Sequence, residues 1–466
     1  MCGIHWSRIY VLITIVKVAC CLSPLFVQAE AWKPTPADRE DYLGQKHYRA
    51  GLHSQIAFAD VSSEREQLTK GKQSIDAFVR TLQHNSSAAN AAEGRRRGIV
   101  YPAGGTKQLV NAWVSIAIVR QRFKCQLPIE LFYDGESEMP PSFRNLFQSE
   151  FAGLSLIDVS KVKLPKHHRQ NISIKSYVIK AAALYATSFD EVLMLDSDNT
   201  PLVDPTTLFE EPSYLATGNA FWPDFATNTG PSIQKEAFTW LGLRVPWVSQ
   251  TSYRSTESGQ ILLNRQRHAD VLEYILFLNL HAHILYKRMH GDTGTYQIAF
   301  MLAGKGQLFN QIQWAPRMAL GECRQIEQGA KEEVYPMVGA IQQNAQGEPA
   351  FLHRVTDGAK YDAHRRDFLR LAYVTTPIRA DLFFTGTLAE MKPYGLVQQY
   401  ANSRVDADIA RRVCGQDPHL CEELTPGQGI IAQPAEWFPT MMAVLEESDG
   451  HFRAVQPRVL TLTLVG

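Results

Sequence analysis

The chain has 466 residues, 47 Lys+Arg against 47 Asp+Glu, and 45% hydrophobic content. That length suits one large domain with extensions or two domains, and the composition excludes disordered and fibrous classes. Balanced charge also excludes the basic footprint of a nucleic-acid binder; the short run Arg95-Arg96-Arg97 reads as solvated linker, so no nucleic-acid partner is expected.

At the N-terminus, Arg8 precedes the apolar run Ile9 to Val16, Lys17 interrupts it, and Val27-Gln28-Ala29 has small residues spaced as for signal peptidase. Residues 1–29 therefore read either as a cleaved signal peptide or as an uncleaved signal anchor, which would tether the chain to the membrane. Both readings send residues 30–466 into the secretory pathway, and no later segment reads as a span. Outside this leader the cysteines are Cys125, Cys323, Cys414 and Cys421. Cys414 and Cys421 are close enough to close a small loop, which leaves Cys125 with Cys323, although four cysteines allow three pairings. The sequons Asn85-Ser-Ser and Asn171-Ile-Ser fit the same compartment.

Residues 30–97 read as a stem with one helix over Ser63 to Leu82, patterned by Leu68, Ile75, Phe78, Val79 and Leu82. From Gly98 the character changes. Gly98-Ile-Val-Tyr is an apolar run ending in the turn Pro102-Ala-Gly-Gly, and Lys107 to Arg120 has helical periodicity. Leu127 to Tyr133 reads as a strand, as does Leu154 to Asp158; Ser176 to Ser188 reads as a helix and Glu191 to Leu195 as a strand. Strand–helix alternation of this kind predicts an α/β fold with a mostly parallel sheet and flanking helices. Beyond about residue 331 the pattern weakens, and the apolar stretch Arg458 to Val465 has no evident place.

Such sheets bind ligands at the carboxyl ends of their strands, and Asp196-Ser-Asp198 lies at one such end, as does the turn after Val100. Two carboxylates one residue apart suit a hard divalent cation that also carries substrate phosphates, and the cation relieves their repulsion. A solvated turn is the alternative for an isolated copy.

Several segments occur in order: Arg97-Gly-Ile-Val, Leu127-Pro-Ile-Glu130, Ile179-Lys180-Ala, Ser188 to Asn199, Asp204-Pro, Phe221-Trp-Pro-Asp224 and Glu257-Ser-Gly-Gln260. Together they resemble the fungal-type α-mannosyltransferases of the MNN1/MNN2 kind over roughly residues 97–355. The resemblance implies a GT-A-like, Rossmann-related catalytic domain at 98–355, between a stem at 30–97 and a C-terminal extension at 356–466 packed on the catalytic domain. It also implies a Golgi membrane enzyme of single-pass type II topology with a lumenal catalytic domain. The implied partners are a nucleotide-sugar donor, GDP-mannose favoured, and a glycan acceptor, with Mn²⁺ or Mg²⁺ as cofactor.

Carried onto this chain, the resemblance makes Asp196 and Asp198 metal ligands, with Asp196 also at the donor. His353, in Phe351-Leu-His353, would complete the metal site, or it is a structural histidine. Tyr101, Pro102, Ala103 and Gly104 would face the nucleotide, and Lys180 would meet phosphate charge or lie on a helix surface. Asp224, Glu257, Gln260 and Asp292 would line the sugar pocket as catalytic candidates, and Trp222 would stack on a sugar or belong to the core. Where the family shows His-Gly-Asp-Lys-Asp-Thr, this chain has His290-Gly-Asp292-Thr-Gly-Thr295, so Lys and Asp are replaced by Thr293 and Gly294.

The implied reaction is hexose transfer, α-mannose from GDP-mannose, onto a protein-linked or mannan-type glycan with retention of configuration. Glu257, Asp224 and Asp292 are the candidate carboxylates for a covalent intermediate, and same-face attack is the alternative. Two other readings stand beside this one: a retaining transferase using a UDP-hexose, and an inactive carbohydrate-binding protein on the same scaffold.

Overall fold

The acidic pair lies where two β-sheets meet. The structure is a computed structural model that describes residues 61–85, 96–168, 177–224, 233–243, 256–287, 289, 291–321, 324–325, 333–334, 337–356, 358–365, 368–375 and 432–465. The leader at 1–29, Asn171, Cys323, Cys414, Cys421 and His290 lie outside the described residues. None of the described helices is long and apolar enough to cross a membrane.

In chain order the main elements are α1 (Val61–Asn85), β1 (Arg97–Pro102), α2 (Gly105–Ala117), β2 (Ile129–Tyr133), α3 (Pro141–Glu150) and β3 (Leu154–Asp158). They continue with α4 (Val178–Ala186), β4 (Glu191–Leu195), β5 (Asn199–Pro201), β6 (Asn219–Pro223), β7 (Thr256–Asn264), α5 (Ala269–Leu280) and α6 (Thr295–Leu302). Last come β8 (Arg317–Leu320), β9 (Met337–Gln343), β10 (Pro349–His353), β11 (Tyr373–Thr375), β12 (Ala432–Pro434) and α7 (Pro439–Val465).

The first sheet has the order β3-β2-β1-β4-β7-β6. Its β3, β2, β1 and β4 are parallel, with helices α2, α3 and α4 lying between them in the chain, and β7 runs antiparallel between β4 and β6. This is the expected α/β arrangement of a mostly parallel sheet with flanking helices. β4 reads as an unbroken apolar run because both faces are covered. Leu193 and Leu195 enter one core with Trp113 and Leu109, while Val192 and Met194 enter the other with Leu184 and Ile275.

The second sheet has the order β12-β11-β8-β9-β10-β5, with antiparallel pairings throughout. Its edge strand β5 begins one residue after Asp198. The β5–β10 register sets Asn199 opposite His353, so strand pairing carries a residue 155 positions downstream to the aspartates.

Helix α1, expected as part of a stem, buries Leu68, Ile75 and Val79 in the same core as α5. Tyr274 of α5 donates to Asp76 at 2.8 Å and Lys287 to Glu64 at 2.6 Å. The three apolar residues recur on one helical face, and burying each stabilises by at most about 1.5–3 kcal/mol. The unplaced stretch at 458–465 is the end of α7. Phe452, Val455 and Val459 of that helix share a core with Trp113 of α2. Cys125 is a buried free thiol, not the disulfide partner expected from the cysteine arithmetic; burial pushes its pKa up, which keeps it an apolar-like core residue.

Candidate metal and donor site

Asp196 and Asp198 occupy the turn between β4 and β5, so their carboxylates leave the dry strand for the sheet rim. Asp196 N–H donates to Gly259 O at 2.8 Å, Asn199 N–H to Asp196 O at 3.0 Å, and Arg354 N–H to Asp198 O at 3.0 Å. The backbone of the pair is thereby tied to β7 and to the residue after β10.

His353 stands between three carboxylates. Its Nδ1 donates to Glu257 Oε1 at 3.0 Å, and its Nε2 points at Asp198 Oδ1 at 3.1 Å, with Asp196 Oδ2 at 3.8 Å. The ligand atoms of Asp196, Asp198 and His353 all lie within 4.8 Å of one another. Two carboxylate oxygens and an imidazole whose other nitrogen is held by a carboxylate form a donor set that fits a divalent cation such as Mn²⁺.

Two lysines neutralise the acids. Lys180, expected either at phosphate or on a helix surface, is buried and donates to Asp196 Oδ2 at 2.7 Å and to Ser258 Oγ at 3.1 Å, with Asp292 Oδ2 at 3.8 Å. Lys360 Nζ lies 2.6 Å from Asp198 Oδ2. Sequence reading missed Lys360, because it follows β10 in a loop with no strand or helix period; its spacing seven residues after His353 was the available signal.

These contacts set the protonation states. Burial pushes Asp196 up, and Lys180 and His353 offset this only in part, so its carboxyl is held above the usual range. Burial acts the same way on Asp198, but His353 and Lys360 outweigh it and hold that carboxyl low. Splitting of this kind is what two neighbouring acids sharing one site show. Burial alone would lower His353, yet Glu257 and Asp198 hold it well above the usual imidazole range, so the ring carries two protons. Burial would likewise lower Lys180, but Asp196 and Asp292 raise it.

Gly259 explains part of the Glu257-Ser-Gly-Gln260 motif. A Cβ there would come within 2.5 Å of His353 Nδ1 and 2.9 Å of Glu257 Oε1. Only glycine lets the imidazole lie against β7.

The remaining expected residues divide. Glu257 faces His353 and also accepts from Gly259 N–H at 2.8 Å, so it acts through the imidazole. Asp292 accepts from Ser258 Oγ at 3.1 Å and from Tyr296 Oη at 2.7 Å, so it braces the Lys180 side of the site. Thr293 and Gly294 lie just beyond it, and Gly294 is the N-cap of α6. Asp224 is half-buried just past β6, at the same rim as Asp196 but separated from β4 by β7. Gln260 has no exposed surface and accepts from Asn199 Nδ2 at 2.7 Å; it is a buried sheet residue and cannot approach a sugar.

The nucleotide-facing turn is also corrected. Tyr101 is fully buried with its hydroxyl 2.9 Å from Ser115 Oγ, and Pro102 is paired within β1. Ala103 is buried with its N–H on Phe132 O at 2.9 Å, and Gly105 N–H is on Glu138 O at 2.9 Å. Gly104 remains half-buried at the rim. Trp222 is core: it is 1% exposed, donates to Gln343 O at 2.8 Å and packs edge-on to Phe351.

Residues 96–242 match the family model described as "Mannosyltransferase putative". The α-1,2-mannosyltransferase MNN21 of Candida albicans is 25% identical over 339 residues, covering 60% of this chain and 50% of that protein. The α-1,2-mannosyltransferase MNN2 of Saccharomyces cerevisiae is 27% identical over 212 residues, covering 39% and 35%. The chain thus spans half or less of the length of these relatives. The solved mannosyltransferase Ktr4p from Saccharomyces cerevisiae aligns over 59% of this chain and 84% of that one, with 12% identity and a TM-score of 0.33. The segment 96–242 that matches the mannosyltransferase model holds β1 through β6 and both aspartates, and the chain is similar to fungal MNN2-like mannosyltransferases.

Proposed function

We propose that this chain transfers α-mannose from GDP-mannose to a glycan acceptor in the secretory pathway, using a divalent cation held by Asp196, Asp198 and His353. The observation that carries this reading is the convergence of those three side chains at the carboxyl end of β4, where the two aspartates, though not His353, lie inside the segment that matches the mannosyltransferase model. Mn²⁺ or Mg²⁺ there would act as a Lewis acid toward the diphosphate leaving group.

The chain's own residues supply the rest. Asp196 and Asp198 provide oxygen ligands. Glu257 fixes the tautomer and ring plane of His353 once that ring has lost its extra proton. Lys180 and Lys360, each on one aspartate, would add positive charge beside the position of a bound cation and diphosphate. Asp292 and Ser258 hold Lys180 in place. Asp224, half-buried at the same rim as Asp196, is the candidate carboxylate we assign to the sugar. Retention, the linkage made and Golgi anchoring through residues 1–29 belong to the same proposal.

The test is donor hydrolysis and transfer with a panel of GDP- and UDP-sugars in Mn²⁺. Turnover is expected with GDP-mannose and is expected to vanish in Asp198→Ala and in EDTA, with the variant still folded. Turnover that persists under both conditions overturns the proposal. Preference for a UDP-hexose moves the donor assignment, and glycan binding with no nucleotide-sugar turnover identifies a carbohydrate-binding protein.

A further inference from the structure

We propose that His167, His168 and Glu273 form a second, nitrogen-rich metal site, for Zn²⁺ or a similar borderline cation, where α1, the turn before α4 and α5 meet. His167 and His168 belong to a single 3₁₀ turn. Both direct Nε2 to the same oxygen of Glu273 on α5, at 2.8 and 2.6 Å. The three ligand atoms lie within 4.8 Å of one another. His168 and Glu273 side chains are 1% and 6% exposed and that of His167 is 16% exposed.

Neighbouring side chains in a 3₁₀ turn diverge by about 120°, so aiming two consecutive imidazoles at one point requires both rotamers to be fixed. The structure supplies that fixation. Phe78 of α1 stacks on the His167 ring with centroids 3.8 Å apart. Tyr185 of α4 donates to the other oxygen of Glu273 at 2.8 Å, which orients the carboxylate as outer-shell partners of metal ligands do. Two imidazoles and a carboxylate oxygen form a three-ligand set with a coordination position left for solvent.

The chemistry differs from that of the first site. Two aspartates and one histidine favour a hard cation, whereas two imidazoles and one carboxylate favour zinc. Bonds of about 2.0–2.1 Å in a tetrahedral arrangement put ligand atoms about 3.3 Å apart, so closing on Zn²⁺ requires the present contacts to open by roughly 0.5–0.7 Å. Zinc bound there would tie the 3₁₀ turn to α5 and, through the Phe78 stack, to α1.

The experiment uses the full chain, stripped with EDTA and equilibrated with Zn²⁺ or Mn²⁺, with bound metal counted by mass spectrometry. Asp198→Ala is expected to keep one zinc, with two imidazoles visible in its zinc-edge absorption fine structure. His168→Gln and Glu273→Gln are each expected to lose that zinc equivalent while retaining wild-type Mn²⁺ binding. The proposal is overturned if either variant binds as much zinc as wild type, or if Asp198→Ala binds no zinc or binds it without two imidazoles. Should His168→Gln fail to fold, the absorption measurement on Asp198→Ala decides alone.

Discussion

Replacing Lys180 by methionine asks whether protein cations hold the acidic site together. Methionine keeps the unbranched stem and the helix propensity of α4 and removes only the charge. Lys180 Nζ lies 2.7 Å from Asp196 and 3.8 Å from Asp292. At an effective dielectric of about 20 these separations correspond to gross attractions of about 6 and about 4 kcal/mol. Desolvating a lysine side chain that is 7% exposed offsets much of that. Removing one partner of such a buried pair leaves uncompensated carboxylates, and the net loss is ~3–5 kcal/mol. For a chain of this size that lowers the unfolding midpoint by roughly 3–5 °C. The assay is thermal unfolding followed by circular dichroism in EDTA and again in saturating Mn²⁺. The drop is expected in full in EDTA, and Mn²⁺ is expected to raise the variant's midpoint more than that of wild type, because the ion supplies charge the lysine no longer does. A midpoint in EDTA equal to wild type, or equal Mn²⁺ shifts in the two proteins, refutes the reasoning.

Gly259→Ala is expected to push His353 off Asp198 and weaken Mn²⁺ binding by about 10–100-fold, at a stability cost of about 1–3 kcal/mol. Gly450→Ala, where an added Cβ meets nothing within 4 Å, should change neither, and equal calorimetric affinities for the two variants would count against the packing argument. Lys360→Met removes a cation competing for Asp198 Oδ2, and Mn²⁺ measured without donor should bind up to about fivefold tighter, the equivalent of ~1 kcal/mol; weaker binding would show that the lysine aids the metal. His268 is fully buried with Nε2 donating to Thr217 O, and burial lowers its pKa to about 4. Between the unfolded value near 6.5 and about 4 the unfolded chain binds more protons, so stability falls on acidification through that window, by up to about 3 kcal/mol. Urea midpoints measured across this range should lose that slope in His268→Asn, and an unchanged slope would reject the assignment.

The acidic pair was legible in the sequence because its signal is local: an apolar strand, two carboxylates and a proline-ended exit within ten residues. The four parallel strands of the sheet carrying it, with helices α2 and α4, were legible for the same reason, each being a local run of its own character, whereas β6, β7 and α3 were not read. What was not legible depends on pairing at a distance. Nothing in the 199–201 stretch announces that it pairs with 351–353, yet that register delivers His353 to the site. Tyr101 was misplaced because closeness to a strand end was taken for exposure, and Gln260 because it was read from its motif while the strand β7 around it was not recognised. Both side chains turn into packed layers, where the Tyr101 hydroxyl meets Ser115 and Gln260 Oε1 accepts from Asn199. Lys360 sits in a loop and has no period to betray it.

The opening electrostatic difficulty, two aspartates one residue apart, is resolved in the structure by a larger group. Asp196, Asp198, Glu257 and Asp292 are four carboxylates held against three cations, Lys180, Lys360 and doubly protonated His353. A divalent cation that takes the place of the extra proton on His353 brings four negative charges against four positive ones. The metal-free site is thus one charge short of balance, and the shortfall is met by exchanging a proton for the ion. A solvated turn would have no use for a lysine on each aspartate, one of them buried, nor for a glycine that lets an imidazole lie against the strand. Those accessory residues, more than the aspartates themselves, separate a site from a turn.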